Sequence, residues 1–224
     1  MNTESTDDVR VRAAVHAALG DPARLQIVDT LCLGDATPSE LAAVLNMPSN
    51  LLAHHLRVLH DVGLIDRTRS EGDRRRSYLH LVPGTLTTPD TGAVRLVARV
   101  LFVCTANSAR SQLAAALWRR ASSVPAASAG THPARRIDPG AVAAARRHAL
   151  PLRARRPRVL EDVARQDDLV ITVCDNAHEE LGPARGLHWS VPDPVRIGTE
   201  AAFDAAFDEL TRRVSDLAPR LSAC

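Results

Sequence analysis

The stretch PGTLTTPDTG at residues 83–92 is the feature that most limits what this chain can fold into. It clusters Pro, Gly, Thr and Asp without any periodicity, a composition that interrupts helices and strands alike. The hydrophobic pattern changes character across it, so one continuous core spanning the joint is not expected. Residues 1–82 read as one domain, 83–97 as a linker and 98–224 as a second domain. A chain of 224 residues has room for two small cores, and no internal repeat is visible.

Ahead of the joint the pattern is helical and then briefly extended. Val11, Ala14, Val15 and Ala18 recur at helical spacing within residues 8–19. Asp21-Pro22 combines an N-cap with a proline at the first helical position, opening a helix that carries Leu25, Ile27, Val28 and Leu31. Thr37-Pro38-Ser39-Glu40 has the form of a capping box, and the short helix it starts stops at Asn46-Met47-Pro48. A further helix runs from about Ser49 to Val62 and ends at Gly63. LIDRTR and RSYLHLV alternate around SEGDRR and predict a hairpin. Short helix, tight turn, longer helix and hairpin together make a winged helix-turn-helix, mainly α with a β-wing.

These residues also resemble the arsenic-repressor (ArsR) family of bacterial regulators. The likeness lies in LGDPARLQIVDTL, PSELAAVLNMPSNLLAHHLRVLHDVGLI and the wing RSEGDRRRSYLHL, and covers nearly all of residues 8–82. It implies a homodimer through this domain, bound to operator DNA with the second helix of the motif in the major groove. Ser49, Asn50, Leu51, His54 and Arg57 would then lie near DNA, and Arg74, Arg75 and Arg76 near phosphates or the minor groove. Read without the resemblance, the arginine run is a solvated turn and His54-His55 helix surface, and the module could serve dimerisation alone. Members of the family often carry a Cys-x-Cys metalloid site at the start of the helix before the turn. Here Ala36-Thr37-Pro38-Ser39 stand there, and a pyramidal As(III) site wants three soft thiolates. Cys32, the domain's one cysteine, reads as a small buried hydrophobe.

Composition removes several other classes. All 28 basic residues are arginine and the formal charge is +2, too small for global attraction to a polyanion. Cys32, Cys104, Cys174 and Cys224 show no CxxC spacing, which argues against a zinc ribbon or a secreted disulfide scaffold, and no metal site is expected. MNTESTDDVR lacks an apolar signal core, and no apolar run reaches membrane-span length. The expectation is a reducing, cytoplasmic setting without a membrane, where a cysteine in a special context is a candidate for chemistry.

Behind the joint, strand and helix alternate. ARVLFV at 98–103 and DLVITV at 168–173 predict strands. Residues 111–121, 138–149, 159–165 and roughly 200–218 predict helices, the last with Phe203, Phe207, Leu210, Val214 and Leu217 on one stripe. The expected fold is a three-layer α/β domain with a four-stranded parallel sheet and ligands at the carboxyl ends of its strands. Cys104 stands at such an end, in C-T-A-N-S-A-R-S. A loop between a strand and a helix aims backbone N–H groups at one spot, here from Thr105, Ala106, Asn107, Ser108, Ala109, Arg110 and Ser111, and makes an anion nest. The same field stabilises a thiolate. Arg110 offers a planar fork to two oxygens of a tetrahedral oxyanion, Ser111 can hydrogen-bond the sulfur, and Asn107 can hold the loop open. Such a site suits attack on phosphorus or arsenic. The plainer reading makes Cys104 an ordinary strand-end cysteine and Arg110 helix surface.

The loop resembles the low-molecular-weight protein tyrosine phosphatase superfamily, C-x-x-N-x-x-R-S, and within it the arsenate reductases, through Arg110-Ser111-Gln112-Leu113. The likeness extends over residues 98–218 and includes SAGTHP and HWSVPDP. It implies Asp193-Pro194 as the general acid that protonates the leaving oxygen; by itself an Asp-Pro is a common turn. Phosphatases of the superfamily tend to follow Asp-Pro with aromatics, where this chain has Val195-Arg196-Ile197. The reductases carry a second cysteine where this chain has Cys174, which would attack the Cys104–arsenic adduct and leave a Cys104–Cys174 disulfide. Thioredoxin-coupled members place a third cysteine seven residues later, and here that residue is Leu181. The cycle would then close by direct reduction of the first disulfide, by a low-molecular-weight thiol, or through Cys224.

The reading that follows is a bifunctional arsenic-resistance protein, a DNA-binding regulator joined to a reductase of arsenate or a similar oxyanion. It needs no bound cofactor, only an external thiol reductant, thioredoxin or a low-molecular-weight thiol. The alternatives are a non-catalytic regulator that senses an oxyanion or redox change, and a phosphatase.

Overall fold

The computed structural model describes residues 3–85, 94–152, 156–182 and 186–224. The chain divides into two compact units, Met1–Ser70 with Arg74–Asp90 and Glu71–Asp73 with Thr91–Cys224. Most of the expected joint, residues 86–92, lies outside the described residues.

In the first unit, four helices precede a hairpin: α1 (Thr3–Leu19), α2 (Pro22–Leu31), α3 (Pro38–Val44), α4 (Ser49–Asp61), β1 (Ile65–Arg69) and β2 (Ser77–Leu81). The expected start signals act as such. Asp21 accepts from the N–H groups of Ala23 and Arg24 at 2.9 and 3.1 Å. Thr37 Oγ1 accepts from the Glu40 N–H at 3.2 Å while Glu40 accepts from the Thr37 N–H at 2.7 Å, so two orphan donors at the helix start are satisfied. Ile27, Leu41, Leu52, Leu59 and Leu64 form a fully buried centre. Of the α1 positions at helical spacing, Val15 and Ala18 are buried and Val11 and Ala14 are exposed, and Leu25 of α2 is likewise exposed. The hairpin is antiparallel, in register from Ile65 opposite Leu81 to Arg69 opposite Ser77.

After the joint the second unit's first strand is β3 (Arg95–Val97), which falls in the stretch read from sequence as linker. This strand pairs in parallel with β8 (Leu221–Ala223), close to the other end of the unit. Between them run β4 (Arg99–Cys104), α5 (Arg110–Ala121), β5 (Ala126–Gly130), α6 (Pro139–Arg147), α7 (Leu160–Val163), β6 (Asp168–Thr172), α8 (Asp175–Leu181), β7 (Gly186–His188), α9 (Pro194–Ile197) and α10 (Glu200–Leu217). The main sheet is four-stranded and parallel in the order β5-β4-β6-β7.

Strand β4 is central and buried from Val100 onward, as its unbroken apolar run requires of a strand covered on both faces. Phe102 contacts Trp118 and Trp189, with ring centroids 5.9 and 5.7 Å away. The stripe Phe203, Phe207, Leu210, Val214 and Leu217 of α10 is buried as its spacing predicts. Among the described residues no helix is long and apolar enough to cross a membrane.

Candidate active site

Parallel neighbours end at the same edge of a sheet, so β4 and β6 deliver the residues that follow them side by side. Val103 pairs with Thr172, and the Val173 N–H donates to the Val103 carbonyl at 2.7 Å. Cys104 ends β4, and Cys174 precedes α8 two residues after β6. Both cysteines are buried and unbridged.

The loop after Cys104 is held from behind. The N–H groups of Thr131, His132, Ala134 and Asp138 donate to the carbonyls of Cys104, Thr105, Ala106 and Ser108 at 2.9–3.2 Å. With those carbonyls occupied, loop N–H groups are free to turn the other way, and the Asn107 N–H meets Cys104 Sγ at 3.2 Å. Gly130 permits this close packing, since a Cβ there would stand 2.5 Å from the Thr105 carbonyl oxygen and 3.0 Å from Asn107.

Asn107, at φ 47°, is the strained corner of the loop, in a region that non-glycine residues seldom adopt. Its side chain answers that cost. Nδ2 donates to Ser111 Oγ at 2.8 Å, while Oδ1 accepts from the Arg158 backbone N–H at 3.0 Å and from Gln112 Nε2 at 3.1 Å. Ser111 Oγ in turn lies 3.1 Å from Cys104 Sγ.

An open cavity faces this loop. Cys104, Thr105, Ala106, Ser108, Ala109 and Arg110 line it from the loop, and Asn176, Asp193 and Val195 from elsewhere. Asn107 and Ser111, expected among the oxyanion-binding residues, do not line it. They are fully buried and brace the loop and the sulfur from beneath. Thr105 lines the cavity, and its N–H donates to Cys174 Sγ at 3.2 Å. Val195 follows the Asp-Pro pair noted in the sequence, whereas Asn176 was not singled out and carries no motif that would have flagged it.

Arg110 is buried and fixed at both ends of its fork. Nη1 donates to the Val191 carbonyl at 2.8 Å and Nη2 lies 3.1 Å from Asp193 Oδ2. Burial works against its charge, but the negative groups at Cys174, Asp193 and Cys104 outweigh this and strengthen its hold on the proton. Asp193 caps α9 by accepting from the Val195 N–H at 3.1 Å. Burial pushes the Cys174 thiol up and negative charge at Cys104 adds to the rise, while Arg110 and the Thr105 hydroxyl pull it down. The arrangement sets a sulfur, a guanidinium and a carboxyl group around one cavity, with a second sulfur behind Thr105, outside the cavity lining.

Residues 99–223 match the family model of the low molecular weight phosphotyrosine protein phosphatases. The chain belongs to that family. Ahead of this match, residues 21–67 fit the model of the arsR family of bacterial regulatory proteins. Solved structures similar to the family portion bear names of both activities. An arsenate reductase from Archaeoglobus fulgidus is 30% identical over 54% of this chain and 98% of its own, with a TM-score of 0.48. The tyrosine phosphatase Wzb from Escherichia coli K30, solved with sulphate, is 26% identical over 55% and 98%, with a TM-score of 0.50. The tyrosine phosphatase amsI of Erwinia amylovora is 24% identical over 57% and 95%, at 0.50. No curated protein is similar enough to count as a match.

In the arsR-type unit, Ser49, Asn50, Leu51, His54 and Arg57 of α4 are exposed, and so are Arg74, Arg75 and Arg76 in the turn of the hairpin. Leu52, His55, Leu56 and Leu59, on the opposite face of α4, are buried. Cys32 is half-buried at the end of α2, Leu181 packs against the core of the second unit, and Cys224 is exposed.

Proposed function

We propose that this chain joins an operator-binding regulator to a thiol-dependent arsenate reductase that works in a reducing cytoplasm. The observation that carries the reductase half is the second sulfur: Cys174 Sγ lies 3.2 Å from the N–H of Thr105, the residue next to Cys104. A phosphatase needs one cysteine, whereas a reductase needs two electrons from two thiols.

In this reading the Cys104 thiolate attacks the arsenic of arsenate. One oxygen leaves as water after Asp193 protonates it, while Arg110 and the loop N–H groups of Ala106, Ser108 and Ala109 hold the others. Cys174, as thiolate, then attacks Cys104 Sγ. The S–S bond forms, the S–As bond breaks with its electron pair going to arsenic, and arsenite departs. Arsenic is thereby reduced from the +5 to the +3 state and the two thiols are oxidised to a disulfide. An external dithiol or two small thiols return the enzyme to its starting state. Leu181 supplies no third thiol, and the alternative partner within the chain is Cys224.

Arsenate-dependent oxidation of thiols tests this directly, run once with a thioredoxin system and once with a low-molecular-weight thiol. Turnover is expected in the wild type with at least one donor and in neither Cys104→Ser nor Cys174→Ser. Absence of turnover with both donors would sink the reductase reading.

A second reading, hydrolysis of phosphate monoesters, is favoured by the family match and by Asp193 at the cavity beside Arg110. Aryl phosphate hydrolysis that survives Cys174→Ser would select it. For the regulatory half, the exposed faces of α4 and the hairpin turn support a homodimer reading an operator. DNA affinity that responds to arsenate without turnover would instead favour a sensor.

A further inference from the structure

Beneath Cys174 lies a cluster of polar side chains that the chemistry above does not use. His188 is 2% exposed, Thr172 and Asp175 3% and His178 5%, and none of them lines the cavity. Groups of this kind are costly to bury unless they satisfy one another.

They do so in a chain. His188 Nε2 lies 3.1 Å from Asp175 Oδ1, His188 Nδ1 2.9 Å from Thr172 Oγ1, and His178 Nδ1 3.2 Å from the same hydroxyl. The rings of His178 and His188 stack, with centroids 4.1 Å apart and planes 15° from parallel. The direction of the chain follows from counting protons. An ionised Asp175 only accepts, so His188 Nε2 carries a hydrogen. Thr172 has one hydroxyl proton for three neighbours that could take it, His188 Nδ1 at 2.9 Å, His178 Nδ1 at 3.2 Å and the Leu187 carbonyl at 3.3 Å. Assigned to the shortest contact, the proton goes to His188 Nδ1, and His178 then meets the hydroxyl oxygen through Nδ1–H.

The placement of these four residues gives the chain a purpose. Thr172 ends β6 two residues before Cys174, Asp175 follows Cys174 directly, and His178 is one turn further along α8. His188 ends the neighbouring strand β7. The peptide units on both sides of Cys174 are therefore tied to the sheet.

We propose that the His178–Thr172–His188–Asp175 chain positions Cys174, with His188 as its central member, by holding the first turn of α8 so that the second sulfur stays against the loop that carries Cys104. The proposal rests on the reading of Cys174 as the second redox thiol. His188 and Asp175 are positioning residues, since neither touches the reacting atoms. A displacement of about 1 Å costs such a step on the order of 100-fold in rate.

Hydrogen peroxide separates the two steps without arsenate. It oxidises the Cys104 thiolate to a sulfenic acid and is itself reduced to water. The Cys174 thiolate then displaces a second water from that sulfur, closing the disulfide. The first step is read by dimedone trapping in a Cys174→Ser background, the second by the rate of disulfide formation. In His188→Leu we expect the second step to slow by about tenfold or more while the first stays within about twofold, because only the position of Cys174 changes. His188→Gln keeps a donor for Asp175 and is expected to recover most of the rate. If His188→Leu does not fold, Thr172→Val, which removes only the hydroxyl link, decides by the same ratio. Equal slowing of both steps, or none in the second, overturns the proposal. A wild type that forms the sulfenic acid but no Cys104–Cys174 disulfide overturns the redox reading of Cys174 and the proposal with it.

Discussion

In the loop from Cys104 to Ser111 the polar side chains of Asn107 and Ser111 are fully buried and bonded to each other, whereas on α4 Ser49, Asn50, His54 and Arg57 all lie in solvent. The loop spends its internal hydrogen bonds on shape. Four carbonyls are tied to the segment after β5, and one strained residue is held by three side-chain bonds, so a tetrahedral oxyanion would meet a cradle already formed. The α4 face is a presented surface whose polar groups would find their partners on another molecule. Small internal distortions should therefore damage the first, while changes of surface charge should damage the second.

The largest expected effect comes from Gly130→Ala. The added Cβ collides with the Thr105 carbonyl and Asn107, so phosphate affinity and turnover should fall by about 100-fold, as a displacement near 1 Å implies. Operator affinity should stay within about twofold, since the phosphate contacts that set it are made elsewhere. A comparable loss of DNA binding, measured by fluorescence anisotropy, would break the contrast.

Replacing Arg74, Arg75 and Arg76 together by Ala is the converse. Operator affinity should drop by about 10-fold to 100-fold near physiological salt, with a shallower salt dependence, because fewer counterions are released. Cys104 chemistry should be unchanged. An unaltered slope of log affinity against log salt would remove these arginines from the DNA face.

A smaller effect concerns stability of the second unit. Burial works to raise Glu209, but hydrogen bonds and charge from Arg212 and Arg213 outweigh it and hold the carboxyl at about 2, below its ordinary 4.5. A depressed carboxylate contributes stability that is complete above 4.5 and is lost as the pH falls toward 2. Glu209→Gln should cost roughly 2 kcal/mol at neutral pH after allowance for partial exposure, and the difference from wild type should vanish in acid. Urea melts at several pH values check this; a difference independent of pH would mean that charge is not its source.

The smallest effect is at the start of α3, where Thr37→Ala removes one half of the capping box and should cost about 1 kcal/mol of stability in the first unit alone. Thermal unfolding of the two units, followed separately, would show whether the loss stays there.

The features legible before folding are those that rest on short-range pattern. Helix starts at Asp21 and Thr37, the hairpin around SEGDRR, the stripe on α10 and the strand–loop–helix around Cys104 are all written in neighbouring residues, because capping, turn chemistry and periodicity act over a few positions. The remaining features arise only from long-range packing. Strand β5, Ala-Ala-Ser-Ala-Gly, has no β-branched or aromatic residue to announce it, and β3, β7 and β8 are three residues each. Such segments become strands only when a partner distant in the chain is already in place. The same holds within the site. The C-x-x-N-x-x-R-S spacing named the loop, but only the fold shows Asn107 and Ser111 bracing it from below, Asn176 and Val195 at its cavity, and His188 reaching Asp175 across the sheet. Those contacts depend on how strands align side by side, which no local pattern of residues encodes.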